Sequence, residues 1–142
     1  MMYPEGQDIL VVDQDPARRA LIERILREDG FEVTAVSEGL AALRAAGSGR
    51  FALIIAAIGL PGTLDGAATV RQVRARQPWV RALFIDHPAG LSRHDYPDCD
   101  DVIGAPFQRR ELLGCVFELL HRDVLPDAAD LGRRCRAEFY AR

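Results

Sequence analysis

The sequence predicts an α/β fold in which helices cover both faces of a doubly wound, five-stranded parallel sheet. Short apolar runs alternate with amphipathic stretches along the 142 residues, as they do in chains built from β–α–β units. Two of these runs, residues 9–12 and 51–57, are apolar at every position. This continuity favours central strands that are covered on both sides.

The first half of the chain contains three predicted strands and two predicted helices. The strand at residues 9–12 leads into a helix that Asp15 caps. Residues 31–36 form the second strand, and Ser37 is predicted to cap the second helix. The apolar run at residues 51–57 is the third strand.

The second half continues the alternation with shorter elements. A helix at residues 67–77 precedes a fourth strand at residues 80–85. A short fifth strand at residues 102–103 and a packed helix at residues 108–122 follow. Between the fourth and fifth strands, residues 87–100 contain prolines and lack an apolar repeat of 3.6 residues. The fourth crossover helix is therefore predicted to be short or vestigial.

The end of the chain has its own helical pattern. Apolar residues recur at i, i+4 and i+8 from Leu131 to Phe139, which predicts an amphipathic helix at residues 128–140. We therefore expect a domain at residues 1–122 and a C-terminal extension at residues 123–142. The extension is expected to pack on the domain or to extend from it.

The packed helix at residues 108–122 is apolar over an unusually wide arc. At 100° per residue the arc spans roughly 200°, whereas a core-facing surface helix needs a stripe of just over 100°. Part of this arc, with Cys115, Phe117 and Leu119, is a candidate interaction surface. Two occupants remain open, namely the C-terminal extension of the same chain and a dimer or partner protein.

Composition limits the classes of function. A net charge of −3 gives no general attraction to nucleic acid, and no apolar run approaches the roughly 18 residues that cross a bilayer. Without a secretory signal pattern, a cytoplasmic location is expected. Three widely spaced cysteines argue against a disulfide framework or a metal site. All 18 basic residues are arginine, so no mechanism that needs a lysine is available.

Three ordered motifs resemble the receiver domain of two-component response regulators over about residues 8–122. They are VVDQDP at residues 11–16, IGLPG at residues 58–62 followed by Asp65 and Gly66, and APF at residues 105–107. The resemblance implies a flavodoxin-like sheet with strand order 2-1-3-4-5. It also implies phosphoryl transfer from the histidine of a partner kinase to an aspartate, assisted by Mg²⁺ and a lysine.

The resemblance assigns the phosphate-accepting position to Ala57, whose methyl group cannot attack phosphorus. The acidic pair that holds Mg²⁺ corresponds to Asp13 and Gln14, so one anionic ligand has become a neutral amide. We therefore expect no cofactor, and Mg²⁺ binding that is weak or absent, with Asp13 as the remnant of the metal site.

Three further positions depart from the family pattern. Asp86 stands where a serine or threonine contacts the phosphoryl group, Ala105 replaces the lysine, and Val102 replaces the aromatic switch residue. Asp13 and Asp86 are also expected to approach each other, which would raise the pKa of one carboxyl. The sequence thus predicts a degenerate receiver that is not an enzyme.

Such a domain would act through protein contacts. The resemblance implies a histidine kinase, a phosphotransfer protein or another response regulator as the partner, with a homodimer as a further possibility. Membrane and nucleic-acid binding are not expected. The alternative is a phosphohydrolase similar to the haloacid dehalogenases, with Asp13 as nucleophile and Asp15 as general acid.

Overall fold

The computed structural model describes residues 8–86 and 100–121 and confirms the predicted fold class. Five parallel strands form one sheet in the order β2-β1-β3-β4-β5. In chain order the elements are β1 Ile9–Val12, α1 Pro16–Glu28, β2 Val33–Val36, α2 Gly39–Ser48, β3 Leu53–Ala57, α3 Gly66–Arg76, β4 Arg81–Asp86, β5 Asp101–Gly104 and α4 Arg109–Leu120. The predicted C-terminal helix lies outside the described residues. So does the predicted short fourth helix at residues 87–100, apart from Asp100.

The sheet is buried on both faces. Every residue of β1 and β3 is buried, which confirms the interpretation of the two continuous apolar runs as central strands. Helices α1 and α4 cover one face, where Ile9, Val11 and Leu112 share a core. Helices α2 and α3 cover the other, where Leu10 and Val70 share a second core.

Two predicted boundaries at the second strand and helix were wrong. Phe31 is a buried turn residue whose amide donates to the Leu26 carbonyl, and β2 begins only at Val33. The second helix has Glu38 as its N-cap, without a side-chain hydrogen bond, whereas Ser37 was predicted. Helix α2 begins close to α3, since a Cβ at Gly39 would lie 2.3 Å from the Thr69 hydroxyl on α3.

The candidate interaction surface on the last helix needs a correction. Cys115 and Leu119 are 1% and 0% exposed, because α4 packs against both the sheet and α1 and so buries most of its wide apolar arc. Only Phe117 of the three is a surface residue, at 41% exposure. Its ring centroid lies 5.7 Å from that of Phe31.

Candidate functional site

The ladder register gathers the predicted site positions at the carboxyl edge of the sheet. Val12 of β1 pairs with Ala56 of β3, so Asp13 and Ala57 follow at the same level. Ala57 in turn pairs with Ile85, the residue before Asp86 on β4. Parallel strands place functional groups at this edge, beside the point where the strand order reverses. The site positions named from the sequence are therefore neighbours in the fold.

Ala105 lies at the far side of the same edge, and Val102 lies within the adjoining strand β5. Asp86 pairs with Gly104, and Ala105 follows directly, half-buried and joined to Pro106 by a cis peptide bond. Val102 is buried inside β5, at 7% exposure. Only the backbone of Asp86 is described in the structure.

The dominant polar contact of the site joins Asp13 to Arg18. Arg18 lies in the first turn of α1, and its Nε donates to Oδ2 of Asp13 while its Nη2 donates to Oδ1 at 2.9 Å. The Asp13 side chain is fully buried, and that of Arg18 is 30% exposed. Two-point pairing of a guanidinium with a carboxylate is among the stronger charge-assisted contacts in proteins. Asp13 is therefore neutralised within the chain.

The surroundings of this ion pair reinforce it. The Asp15 amide also donates to Oδ1 of Asp13, at 3.0 Å. Arg19 donates from Nη1 to the backbone carbonyl of Asp13 at 2.8 Å. The hydrogen bond to Asp13 is the main cause that raises the pKa of Arg18 above its ordinary value, so the guanidinium stays charged. The end of β1 and the start of α1 are thereby tied together.

Gln14 is turned toward a neighbouring loop. Its side-chain Nε2 donates to the Gly59 carbonyl at 3.0 Å, and the residue is exposed. The amide thus links the β1–α1 turn to the turn after β3. In this position the side-chain amide of Gln14 acts as a hydrogen-bond donor between two loops.

Ala57 is closely covered by the start of α3. The residue is 2% exposed, and a Cβ on Gly66 would lie 2.3 Å from the Ala57 carbonyl oxygen. The Gly66 amide donates to the Ile58 carbonyl at 3.1 Å. Helix α3 therefore begins directly against the backbone at the end of β3, and the Ala57 side chain contributes no polar atom to the site.

A groove opens beside the ion pair, between α1 and the β5–α4 loop. Its volume is about 470 Å³, and its walls combine the charged Asp15 and Arg18 with an apolar floor. The other lining residues are Ala17, Leu21, Ala105, Pro106 and Phe107. With alanine at position 105, the loop side of the groove carries no cation.

The residues present do not fit a Mg²⁺ ion. Mg²⁺ prefers near-octahedral oxygen ligands, commonly including one or two carboxylates, whereas both carboxylate oxygens of Asp13 accept from Arg18 and the Ala57 side chain has no oxygen. A divalent ion about 4 Å from the guanidinium would be repelled by roughly 8 kcal/mol at an effective dielectric near 20. Within residues 8–86 and 100–121, no cluster of three or more acidic, histidine or cysteine side chains is arranged to hold a metal.

Arg18 is the site residue that the sequence interpretation missed. The expected neighbour of Asp13 was the carboxyl of Asp86, and no cation was assigned to the site once lysine was ruled out. A signal was nevertheless present, because Arg18 follows the cap Asp15 by three residues and so falls in the first helical turn. A long cationic side chain at that point can reach back to the end of the preceding strand.

The hydrolase alternative gains no support from this geometry. Asp15 is the N-cap of α1, and its Oδ1 accepts from the amides of Ala17 and Arg18 at 3.0 and 3.3 Å. This confirms the predicted capping role. Asp13 is engaged by Arg18, so neither carboxylate is arranged as a free nucleophile or acid.

Comparison with known proteins agrees with the motifs. A family model described as response regulator receiver domain matches residues 9–113. The chain is 37% identical over 121 residues to the transcriptional regulatory protein PrrA of Mycobacterium tuberculosis, and 30% identical over 128 residues to TcrA of the same organism. These alignments cover 80% and 85% of this chain. They cover 50% and 49% of the relatives, so the chain spans about half the length of the curated relatives it matches.

Solved structures show the same likeness. The receiver domain of the sensor histidine kinase PA1611 from Pseudomonas aeruginosa, solved with a magnesium ion in its active site cleft, is 31% identical with a TM-score of 0.69. A response regulator receiver protein from Sinorhizobium medicae is 28% identical with a TM-score of 0.74. Each comparison covers 82% of this chain and 96% of the other. In the part of this chain that the structure describes, no helix is long and apolar enough to cross a membrane.

Proposed function

We infer that this chain, which belongs to the response regulator receiver domain family, is a receiver that accepts no phosphoryl group and works by binding a protein of a two-component system. Receiver domains interact with histidine kinases and with other response regulators. The activities of the longer relatives are not part of this proposal, because the chain matches only about half of their length.

The observation that carries the proposal is the alanine at the end of β3. Ala57 occupies the level of Asp13 at the carboxyl edge, where the family's reaction requires a carboxylate nucleophile. A methyl group has no lone pair to form the bond to phosphorus. Without this step, the phosphoryl group of a kinase cannot be retained at this site.

The neighbouring positions support the same proposal. Phosphoryl transfer depends on positioning and on neutralising the charge of the phosphoryl oxygens. The Gln14 side-chain amide donates to the Gly59 carbonyl, and in the described residues the cation on the Asp13 carboxylate is Arg18, whose charge is already used there. Ala105 supplies no ammonium group, and the whole chain contains no lysine. The groups that phosphoryl transfer requires are therefore missing around Ala57 as well as at Ala57 itself.

Phosphorylation is tested by intact mass measurement. The full chain is incubated with Mg²⁺ and a small phosphodonor, beside a receiver domain that carries aspartate at the position matching Ala57. We expect a phosphoryl adduct on the control receiver and an unmodified mass for this chain. An adduct of one phosphoryl group on this chain would contradict the proposal.

Protein binding is tested with purified candidates of the three expected classes, namely histidine kinases, phosphotransfer proteins and response regulators from the same genome. A second copy of the chain is tested by sedimentation. Because the site is expected to hold one state, pretreating this chain with phosphodonor should leave its affinity for the partner unchanged. An affinity that shifts more than threefold after that treatment would argue for a working switch.

The domain division belongs to the same proposal. We expect residues 1–122 to fold as the receiver unit and residues 123–142 to form an extension of it. Limited proteolysis should cut first after residue 122 and leave the larger fragment folded. Early cleavage inside the sheet would contradict this division.

A further inference from the structure

Arg18 affects cation binding at this site independently of the missing phosphate acceptor at position 57. Nε and Nη2 of Arg18 bind the two carboxylate oxygens of Asp13 in a parallel, two-point arrangement. The carboxylate has no solvent exposure, so protein donors rather than water compensate it. In a receiver site of the usual kind, a divalent ion would neutralise the same carboxylate.

The other donors near Asp13 also come from the chain. Oδ1 accepts from the Asp15 amide, and the Asp13 carbonyl accepts from Arg19. A metal ion would need these oxygens to turn their lone pairs toward it, and it would have to displace or lie beside a guanidinium. The arrangement therefore satisfies Asp13 with protein donors and places a fixed positive charge where a mobile one would bind.

We propose that Arg18 is the resident cation of this site, so that its guanidinium replaces a divalent ion on Asp13 and excludes such ions while the pair is intact. The inference goes beyond protein binding, because it holds whichever partner the chain has. It also implies that restoring the missing carboxylates is insufficient to restore a metal site. Arg18 would have to be removed as well.

The unaltered protein provides the first test. In ¹⁵N-labelled full chain, the Nε–Hε signal of Arg18 is assigned by its loss in Arg18→Lys, whose side chain has no such group. We expect this signal to stay unchanged as Mg²⁺ is raised to about 20 mM, a concentration well above the dissociation constants of sensor-type Ca²⁺ sites. Asp13→Asn should shift it. A signal that moves in a saturable way with Mg²⁺ would overturn the proposal.

The second test compares two variants that differ only at Arg18. One carries Gln14→Asp and Ala57→Asp, and the other adds Arg18→Met. Mn²⁺ binding, measured by calorimetry, should be at least tenfold tighter in the variant without the arginine. If the variant without the arginine is unfolded in the absence of metal, thermal unfolding is measured with increasing Mn²⁺ instead. Mn²⁺ should then raise the melting temperature of this variant and leave that of the arginine-containing variant unchanged. Equal Mn²⁺ affinities, whether strong or undetectable, would overturn the proposal.

The two proposals fail separately. A phosphoryl adduct on the unaltered chain would contradict the proposed loss of phosphorylation. Equal metal affinity with and without Arg18 would leave that loss intact and remove only the role of Arg18 as the resident cation.

Discussion

Arg18 binds both carboxylate oxygens of Asp13, and this pair joins the first turn of α1 to the end of the central strand β1. The carboxylate is fully buried and the guanidinium is about one-third exposed, so the two partners differ in what they lose when the pair is broken. Without Arg18, the buried Asp13 carboxylate would lose its side-chain partner among the described residues. Arg18 without Asp13 could reach solvent.

This asymmetry predicts the outcome of a double-mutant cycle. Arg18→Met should lower the free energy of unfolding by about 3 kcal/mol, because breaking a buried pair leaves an uncompensated charge. Adding Asp13→Asn should recover part of that loss, because the remaining amide is neutral. Urea unfolding of the four proteins gives the coupling energy between the two residues.

Arg19→Met is the matched control for this cycle. Arg19 lies beside Arg18 on α1 and donates to the Asp13 backbone carbonyl, which Asp13→Asn leaves in place. Its loss should cost about 1 kcal/mol and should add to that of Asp13→Asn without coupling. Equal coupling of Arg18 and Arg19 to the Asp13 side chain would refute the special role of the Arg18 pair.

The fold could be predicted from the sequence because its main signals are local. The continuous apolar runs of β1 and β3 and the cap at Asp15 require no knowledge of distant residues. The order of strands and their register then bring Asp13 and Ala57 to one edge. Positions that depend on such local patterns were placed correctly at the level of elements.

The errors concern contacts between elements. The first residue of α2, Gly39, lies against Thr69, 30 residues away in sequence, and no cap pattern contains this contact. Cys115 and Leu119 are buried where α4 packs on the sheet and α1, and a wide apolar arc in the sequence does not distinguish such intramolecular packing from a partner protein. The pairing of Arg18 with Asp13 required knowing the direction in which α1 leaves the sheet.

Replacing Ala57 with aspartate should not restore phosphorylation. Ala57→Asp supplies a nucleophile, but Asp13 remains bound by Arg18 and no lysine reaches the site. We expect no adduct after incubation with Mg²⁺ and a small phosphodonor, measured by intact mass. Ala57→Asn controls for the change of volume. A Mg²⁺-dependent adduct on Ala57→Asp alone would mean that the remaining residues suffice for the reaction.

Substitutions at Phe117 and Leu119 should lower stability by different amounts. Leu119 is fully buried, so Leu119→Ala is expected to lower the free energy of unfolding by about 2 to 5 kcal/mol. Phe117 is 41% exposed and has Phe31 as a ring neighbour, so Phe117→Ser should cost about 1 kcal/mol, much of it from the lost ring pair. Urea unfolding measures both. A loss of unfolding free energy for Phe117→Ser as large as that for Leu119→Ala would indicate that the Phe117 ring is part of the core.

The ionisation of Asp8 should make the stability of the fold depend on pH. Burial first, and the charge of Glu32 second, raise the pKa of Asp8 above its ordinary value of 3.8. Because the folded state holds this proton more tightly, ionising Asp8 destabilises the fold, and stability falls as pH rises from about 3.8 through the raised pKa. Asp8→Asn should therefore melt slightly higher at neutral pH and show no gain below pH 3.8.

Glu32→Gln tests the cause of this shift. It should move the pKa of Asp8 only part of the way to its ordinary value, since burial is the larger cause. A carboxyl NMR titration of the unaltered chain and of this variant measures both values. A complete return to 3.8 in the variant would make the charge of Glu32 the main cause.

Gly66 should be intolerant of a side chain because of the way α3 closes over the site. An added Cβ would lie 2.3 Å from the Ala57 carbonyl oxygen, a backbone atom that cannot move without distorting β3. We expect Gly66→Ala to lower the free energy of unfolding by about 1 to 3 kcal/mol. Gly59→Ala is the matched control, since a Cβ there meets nothing within 4 Å, and its effect should stay within about 0.5 kcal/mol. Equal effects of the two substitutions in urea unfolding would show that the close approach of α3 to Ala57 is not what requires glycine.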